Sequence, residues 1–305
     1  VRTRAAEGIG RSGTALLSGG LRRALNDPAP SARIAAINAL GDAGDSKSVP
    51  VLKQIVQFED GPAAVFAAAA LVKLGKTEAL KDILNASTLP DPESRMAALG
   101  ALGRLKRPQT IGVLNQAVYD PEPTVRAFAA GALGDFGHPG GAGSLTHAIA
   151  DEDPRVRSVA AVSLGHLGVP YAKVLLWPLT KDPIEFVRSS AVEGLIRLGD
   201  RDVWLVAADL AKHPNPGIRA AIAQAVSVSG SKQGMKIIER LLGDQQPQPR
   251  LAAVRALGKI GGHEMIPLLR KALQDSDTVV RVTAAGGLLR VLKAPKDGAK
   301  AKVNR

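Results

Sequence analysis

The sequence contains no cysteine. That excludes a disulfide framework, cysteine-ligated zinc, iron–sulfur clusters and a thiol nucleophile, and it leaves the redox compartment open. Aromatic residues are scarce too: two Trp, two Tyr and five Phe in 305 residues, in a chain that is 45% hydrophobic. Its core must therefore be built from Ala, Leu, Val and Ile. No run of 18 apolar residues occurs, so nothing reads as a membrane span, and the opening VRTRAAEGIG lacks the apolar centre of a signal peptide.

What the chain has in abundance is repetition. VRAFAAGALGDFG, VRSVAAVSLGHLG and PRLAAVRALGKIG are one segment written again and again. We take its Arg as the anchor of each repeat. Anchors fall at Arg2, Arg33, Arg95, Arg126, Arg157, Arg188, Arg219, Arg250 and Arg281, spaced by 31 residues or twice that, and Ala64 fills the one gap. Three residues after the anchor stands Ala in every repeat but one, where Ile222 replaces it. Eleven after it stands Gly, at Gly13, Gly44, Gly75, Gly137, Gly168, Gly199, Gly230 and Gly261.

Each repeat reads as two helices. Val125, Ala129, Leu133 and Phe136 lie on one face of a 3.6-residue period, which makes the anchor segment a helix, here helix B. Its start is marked by proline three residues before the anchor, where a missing N–H and a fixed φ cost nothing in a first turn. Its end is the recurrent Gly, able to take the left-handed conformation that closes a helix. The segment before it, such as TIGVLNQAV, is a shorter amphipathic helix A. Alanine three after the anchor lets a neighbouring helix approach closely.

These residues resemble the HEAT-repeat family, and its short bacterial HEAT-like subclass first noted in phycobilin lyase subunits. The likeness rests on Leu-x-x-Ala-Leu-x-Asp at 268–275 followed by Val-Arg-x-x-Ala-Ala at 280–285, and on Asp-Pro with Val-Arg at 120–126. It implies an all-α fold, a right-handed α-α superhelix with about nine two-helix repeats after an orphan helix B at residues 1–12. One solenoid is expected over 1–292, followed by a basic, disordered tail over 293–305. Because a terminal repeat needs a polar outer face, the bare first helix predicts that the natural chain extends upstream or that another subunit covers this end.

The Arg ladder has two readings, a phosphate-tracking stripe or a structural lattice. Six residues before the anchors stand Asp27, Asp120, Asp151, Asp182, Asp244 and Asp275, and the repeat lacking the Arg has Phe58 there. Arg95 and Arg219 break the rule, facing Leu89 and His213. The expectation is an Asp–Arg ladder, Asp27 with Arg33, Asp120 with Arg126, Asp151 with Arg157, Asp182 with Arg188, Asp244 with Arg250 and Asp275 with Arg281, tying turns to helix B of the neighbouring layer. The charge distribution agrees. Of the formal +12, the ends hold most, and residues 31–277 carry 28 basic against 25 acidic side chains. That body supplies no continuous basic track, which disfavours nucleic acid as a partner. A second basic stripe, nine after the anchor at Arg11, Lys73, Arg104, Arg197, Lys259 and Arg290, is interrupted by Asp42 and Asp135 and complements helix C-termini.

Chemistry is sparsely represented. The five histidines show no metal-ligand spacing on one helix. Iron-binding deoxyhypusine hydroxylases of the HEAT family use several His-Glu dipeptides, whereas His263-Glu264 stands alone here. HEAT-like DNA glycosylases need a basic concave track that the charge count does not provide. FGHPGGAG lacks the strand–loop–helix setting of a phosphate loop and reads as a longer turn. No catalytic residue, metal or cofactor is assigned.

Function is sought where one repeat departs from the template. Trp177 and Pro178 occupy positions that are mostly polar elsewhere, Tyr171 replaces Lys47, Glu78, Gln109 and Asp202, and Phe186 replaces Ser31, Glu93, Thr124 and Gln248. These four are the candidate partner-binding residues, since exposed rings give large contact for little lost entropy. The competing reading is that Pro178 distorts helix A and the rings fill the gap. Trp204, at a position held elsewhere by Val49, Leu80, Ile111, Met235 and Ile266, is expected in the core. The sequence thus reads as a non-catalytic scaffold for one or more proteins, with a pigment-lyase-like or enzyme-assisting role second and an anionic-surface or nucleic-acid binder third.

Overall fold

In the computed structural model the described residues are 2–12 and 18–293, with the side chains of 9–12 and 18 set aside. Gly13, the side chain of Arg11 and the tail beyond Lys293 lie outside them. Two compact units divide the chain, residues 1–163 and 164–305. The N-terminal unit runs α1 (Arg2–Ser12), α2 (Ser18–Ala24), α3 (Pro30–Asp42), α4 (Val49–Phe58), α5 (Pro62–Lys73), α6 (Leu80–Ala86), α7 (Pro92–Leu105), α8 (Ile111–Ala117), α9 (Pro123–Phe136), α10 (Ala142–Ala148) and most of α11 (Pro154–Leu167). The C-terminal unit follows with α12 (Ala172–Leu176), α13 (Glu185–Arg197), α14 (Val203–Leu210), α15 (Pro216–Val226), α16 (Lys232–Leu242), α17 (Pro247–Ile260), α18 (Ile266–Ala272) and α19 (Thr278–Lys293). Among the described residues there is no strand.

The odd-numbered helices are the B helices, and helix A packs on the B helix that follows it from α2 on α3 through α8 on α9 and from α12 on α13 through α18 on α19. In the N-terminal unit α1, α3, α5, α7 and α9 pack in series; in the C-terminal unit α13, α15, α17 and α19 do the same. This is the all-α, HEAT-like stacking of consecutive helix pairs. Helix A is shorter than its sequence suggests because its first turn is 3-10, as in Pro108–Thr110 ahead of α8.

Local chemistry sets the boundaries. Pro123 opens α9 and Gly137 closes it at φ 72°, ψ 20°. In α7 the closing position is Lys106, which adopts φ 49°, ψ 41° and is the one non-glycine with positive φ among the described residues. The alanine three after the anchor is fully buried from Ala36 and Ala67 through Ala129 and Ala284. Eight after the anchor, glycine sets a close helix spacing in several repeats, Gly41, Gly103, Gly134, Gly165 and Gly258, while Val72 and Ile196 stand there in others. A Cβ on Gly165 would stand 2.6 Å from the Cα of Gly194, and one on Gly41 would stand 2.9 Å from the Cα of Ala70. Backbone-to-backbone approach of this kind leaves room for glycine only.

Trp204 departs from expectation. It is half-buried, as are Val49, Leu80, Ile111, Met235 and Ile266, because this position lies at the edge of helix A. Its ring leans over α16, 3.4 Å from where a Cβ on Gly234 would be.

Candidate functional site

The anchor arginines use their whole guanidinium on the protein itself, in a register different from the one the sequence suggested. For Arg2, Arg95, Arg126, Arg219 and Arg250 the receiving carboxylate belongs to the next repeat, 25 residues on, whereas Arg188 meets Glu185 of its own helix. Arg126 donates from Nε and Nη2 to Asp151 at 2.7 and 2.9 Å, Arg95 does so to Asp120 at 2.8 and 2.8 Å, Arg219 to Asp244 at 2.6 and 2.7 Å, and Arg250 to Asp275 at 2.8 and 2.8 Å. Arg2 pairs likewise with Asp27. The contact within a repeat is instead to backbone: Nη1 of Arg126 donates to the carbonyls of Asp120 and Pro121, Arg157 to those of Asp151 and Glu152, Arg188 to that of Asp182, and Arg281 to those of Asp275 and Ser276.

Arg95 and Arg219 therefore break no rule. A carbonyl is present whatever the side chain, so they donate to Leu89 and His213 like the rest, and both find their Asp in the following repeat. The pair lost on both sides is Ala64 with Leu89, 25 residues apart, and at Arg188 the Asp is replaced by His213. Where Phe58 stands in place of Asp, the adjacent Glu59 takes over and receives Arg33, whose Nε donates to the Leu25 carbonyl.

Each ladder Asp has a second task. Its Oδ1 accepts the backbone N–H two residues on, at Ala29, Glu122, Asp153, Ile184, Gln246 and Asp277, which shapes the turn into helix B. His213 performs it with Nδ1, accepting the Asn215 N–H at 3.1 Å, while Nε2 lies 3.2 Å from Glu185. The Arg219 and Arg250 guanidinium groups hold Asp244 and Asp275 below the ordinary carboxylate range, against burial, with help from the turn N–H. At Asp151 burial is the largest influence and acts upward, yet the Arg126 and backbone hydrogen bonds together outweigh it.

A further inter-repeat bond explains Trp177. Arg22, eleven before its anchor, donates to Asp45 at 2.6 Å, and Asn115, at the equivalent place, donates to the Gly140 carbonyl at 3.2 Å. Trp177 is the same position, and its indole Nε1 donates to Asp200 at 3.2 Å. The ring is half-buried. Pro178 ends α12 after five residues and opens a 3-10 turn over Pro178–Lys181, so helix A is distorted here. Tyr171 is 52% exposed and Phe186 is 41% exposed. Phe186 belongs to the first turn of helix B, whereas Tyr171 precedes helix A. Register places Val174, three residues after Tyr171, and Leu205 at one position of successive A helices, 74% and 81% exposed, both overlooked as aliphatic.

An apolar cleft lies in the N-terminal unit, on the helix-B face. It holds about 440 Å³ and is lined by Gly100, Gly131, Ala127, Phe128 and Val159, with Arg104, Asp135 and Arg155 at the rim. Phe128 is 44% exposed, and a Cβ on Gly100 would come 3.0 Å from its ring. Both rim cations are engaged: Arg155 forks onto Asp153, and Arg104 lies 5.3 Å over the Phe66 ring. Phe128 was not among the sequence candidates; a ring also stands at the equivalent position of another repeat, Phe66, so Phe128 is not a unique departure from the template. Among the described residues no group of three or more His, Asp or Glu gathers to hold a metal, and no helix is long and apolar enough to cross a membrane.

HEAT repeats match residues 1–63, 112–196 and 202–290. No curated protein matches the chain. Among solved structures, YibA of E. coli is similar at 17% identity over 93% of this chain and 96% of that one, with a TM-score of 0.44. The complex of CpcE and CpcF of phycocyanin lyase from Nostoc sp. PCC7120 is similar at 17% identity, 90% and 94% coverage and a TM-score of 0.41. Human deoxyhypusine hydroxylase in complex with glycerol is similar at 20% identity, 83% and 99% coverage and a TM-score of 0.37. With most of its length matched by the family's repeats, the chain belongs to the HEAT-repeat family.

Proposed function

We propose that the chain is a non-catalytic scaffold that binds protein, and that a partner docks on the helix-B face of the N-terminal unit with an apolar side chain seated beside Phe128. One observation carries this reading. The charged residues that recur are spent on joining repeats, while Phe128 stays 44% exposed in a glycine-floored cleft of about 440 Å³. A ring held rigidly on a helix, ringed by polar side chains that exclude water, is the arrangement that concentrates binding energy. The rim carries both signs of charge, which suits a peptide or helix of mixed charge better than a polyanion.

In the C-terminal unit Tyr171, Trp177, Pro178 and Phe186 remain proposed contacts with unequal parts. Tyr171, together with Val174 and Leu205, would offer the apolar surface of the helix-A side, and Phe186 would serve a contact on the helix-B face. Trp177 and Pro178 would fix the backbone beneath Tyr171 through the Asp200 bond and the 3-10 turn. The test is affinity capture from the source organism, quantified by mass spectrometry, with the wild-type chain and with Phe128→Glu. A partner captured by the first and depleted at least about tenfold by the second supports the reading, tenfold being 1.4 kcal/mol. Identical captured sets, or capture of nucleic acid that falls steeply with salt, would overturn it.

A further inference from the structure

We propose that the helix-B face of the C-terminal unit binds an acidic segment of a protein partner in the cleft between α15 and α17, with Arg255 and Lys259 receiving two of its carboxylates. The cleft holds about 270 Å³ and is lined by Gln224 and Ser227 of α15 and by Ala252, Arg255, Ala256 and Lys259 of α17. Counted from the anchors, it is the same groove as the one at Phe128. Ala252 stands where that groove has Phe128, Arg255 where it has Gly131, and Lys259 where it has Asp135. Successive B helices thus leave a groove at one register in both units, and these three positions decide what it takes. In the N-terminal unit they make it apolar; between α15 and α17 they make it cationic.

Elsewhere on this face a carboxylate of the chain answers the cation. Lys73 pairs with Asp42 at the equivalent place one repeat back, and Arg197, equivalent to Lys259, pairs with Glu193 at 2.7 Å. Where α13 has Glu193, α17 has Arg255, so the internal acid has become a second cation. No other acid replaces it, because α15, α17 and α19 contain neither Asp nor Glu. Among the described residues Arg255 and Lys259 enter no ion pair, and both are exposed. Lys259 lies in the last turn of α17, where a cation suits the helix end, but Arg255 is a turn earlier and gains little from it. Two like charges one turn apart repel each other, and a bound acidic segment relieves that. The cations also stop at this groove. The places equivalent to Arg255 on α13, α15 and α19 are Glu193, Gln224 and Gly286, so no track follows a phosphate backbone.

The probe is a labelled hexaglutamate peptide, titrated with the full chain at low salt and followed by fluorescence polarisation. Combining Arg255→Gln with Lys259→Gln should weaken binding at least about tenfold. Combining Arg240→Gln with Lys271→Gln removes the same charge from exposed positions of α16 and α18, and should change binding by less than about twofold. Arg255→Lys with Lys259→Arg keeps both charges and should keep binding, and all three pairs should match the wild-type circular dichroism. The groove at Phe128 lies in the other unit, so capture lost through Phe128→Glu and peptide binding lost through Arg255 and Lys259 are separate results. A wild-type chain that does not bind hexaglutamate, equal weakening by the two Gln pairs, or tighter binding of an oligothymidylate than of the peptide would overturn the proposal.

Discussion

Replacing Arg219 by Ala removes four hydrogen bonds at once: two to Asp244 at 2.6 and 2.7 Å, and two to the carbonyls of His213 and Pro214 at 2.7 and 2.9 Å. Both partners are largely shielded, with side chains 13% and 10% exposed. Removing one member of a buried ion pair costs about 3–5 kcal/mol, and the residual exposure and the surviving Gln246 N–H bond to Asp244 reduce this to roughly 2–4 kcal/mol. Arg197 gives the contrast, since it forms an ordinary pair with Glu193 one helical turn away, and Arg197→Ala should cost only about 0.3–0.5 kcal/mol. Urea unfolding followed by the fluorescence of Trp177 and Trp204, both in the same unit as the pair, reads the loss. The decisive quantity is the coupling between Arg219→Ala and Asp244→Ala in a double-mutant cycle, expected at roughly 1–3 kcal/mol. A coupling below about 0.5 kcal/mol, or a cost for Arg219→Ala no greater than for Arg197→Ala, would refute the claim that these bonds join neighbouring repeats.

Three further outcomes follow from the same geometry. Gly165→Ala should destabilise the chain by about 1–3 kcal/mol, because its methyl would meet the Gly194 backbone at 2.6 Å and the helices must separate; an unchanged melting temperature would contradict the close approach. Lys106→Gly should stabilise by about 0.5–1 kcal/mol, as relief of the left-handed strain outweighs the added freedom of the unfolded chain, and a fall in the urea midpoint would count against this. The folded-state pKa values of Asp244 and Asp275 lie below their unfolded values, so the stability they contribute is complete above about pH 4 and is lost as pH falls through the folded values. A chain carrying Asp244→Asn and Asp275→Asn should accordingly lose less stability than wild type between pH 6 and pH 3, and equal losses would refute the assignment.

The fold was legible because its signals are local and repeated. Proline at the first turn, alanine three after the anchor and glycine at the close each have one physical reason, and each recurs where the helices start, pack and end. The ladder was half legible. Its residue types announced an Asp–Arg lattice, but a sequence cannot distinguish a partner six residues back from one 25 residues ahead when both recur every 31. Only the coordinates show that the near contact goes to backbone carbonyl, which makes Leu89 and His213 acceptable. Trp177 misled for a related reason. Its position looked polar, and the property preserved there is donation of a hydrogen bond to the next turn, which an indole N–H supplies as well as the Arg22 guanidinium. Phe128, Val174 and Leu205 were missed because exposure depends on how successive helices stagger, which the repeat pattern alone does not encode.

The central claim is a division of labour, with recurrent charges joining repeats and isolated apolar residues meeting a partner. It is tested most directly by measuring capture of the same partner and thermal stability on two variants, Arg219→Ala and Phe128→Glu. The account predicts that Arg219→Ala melts earlier yet captures the partner undiminished below its melting point, and that Phe128→Glu melts with wild type yet loses capture by about tenfold or more. Loss of capture through Arg219→Ala with Phe128→Glu unaffected would contradict it.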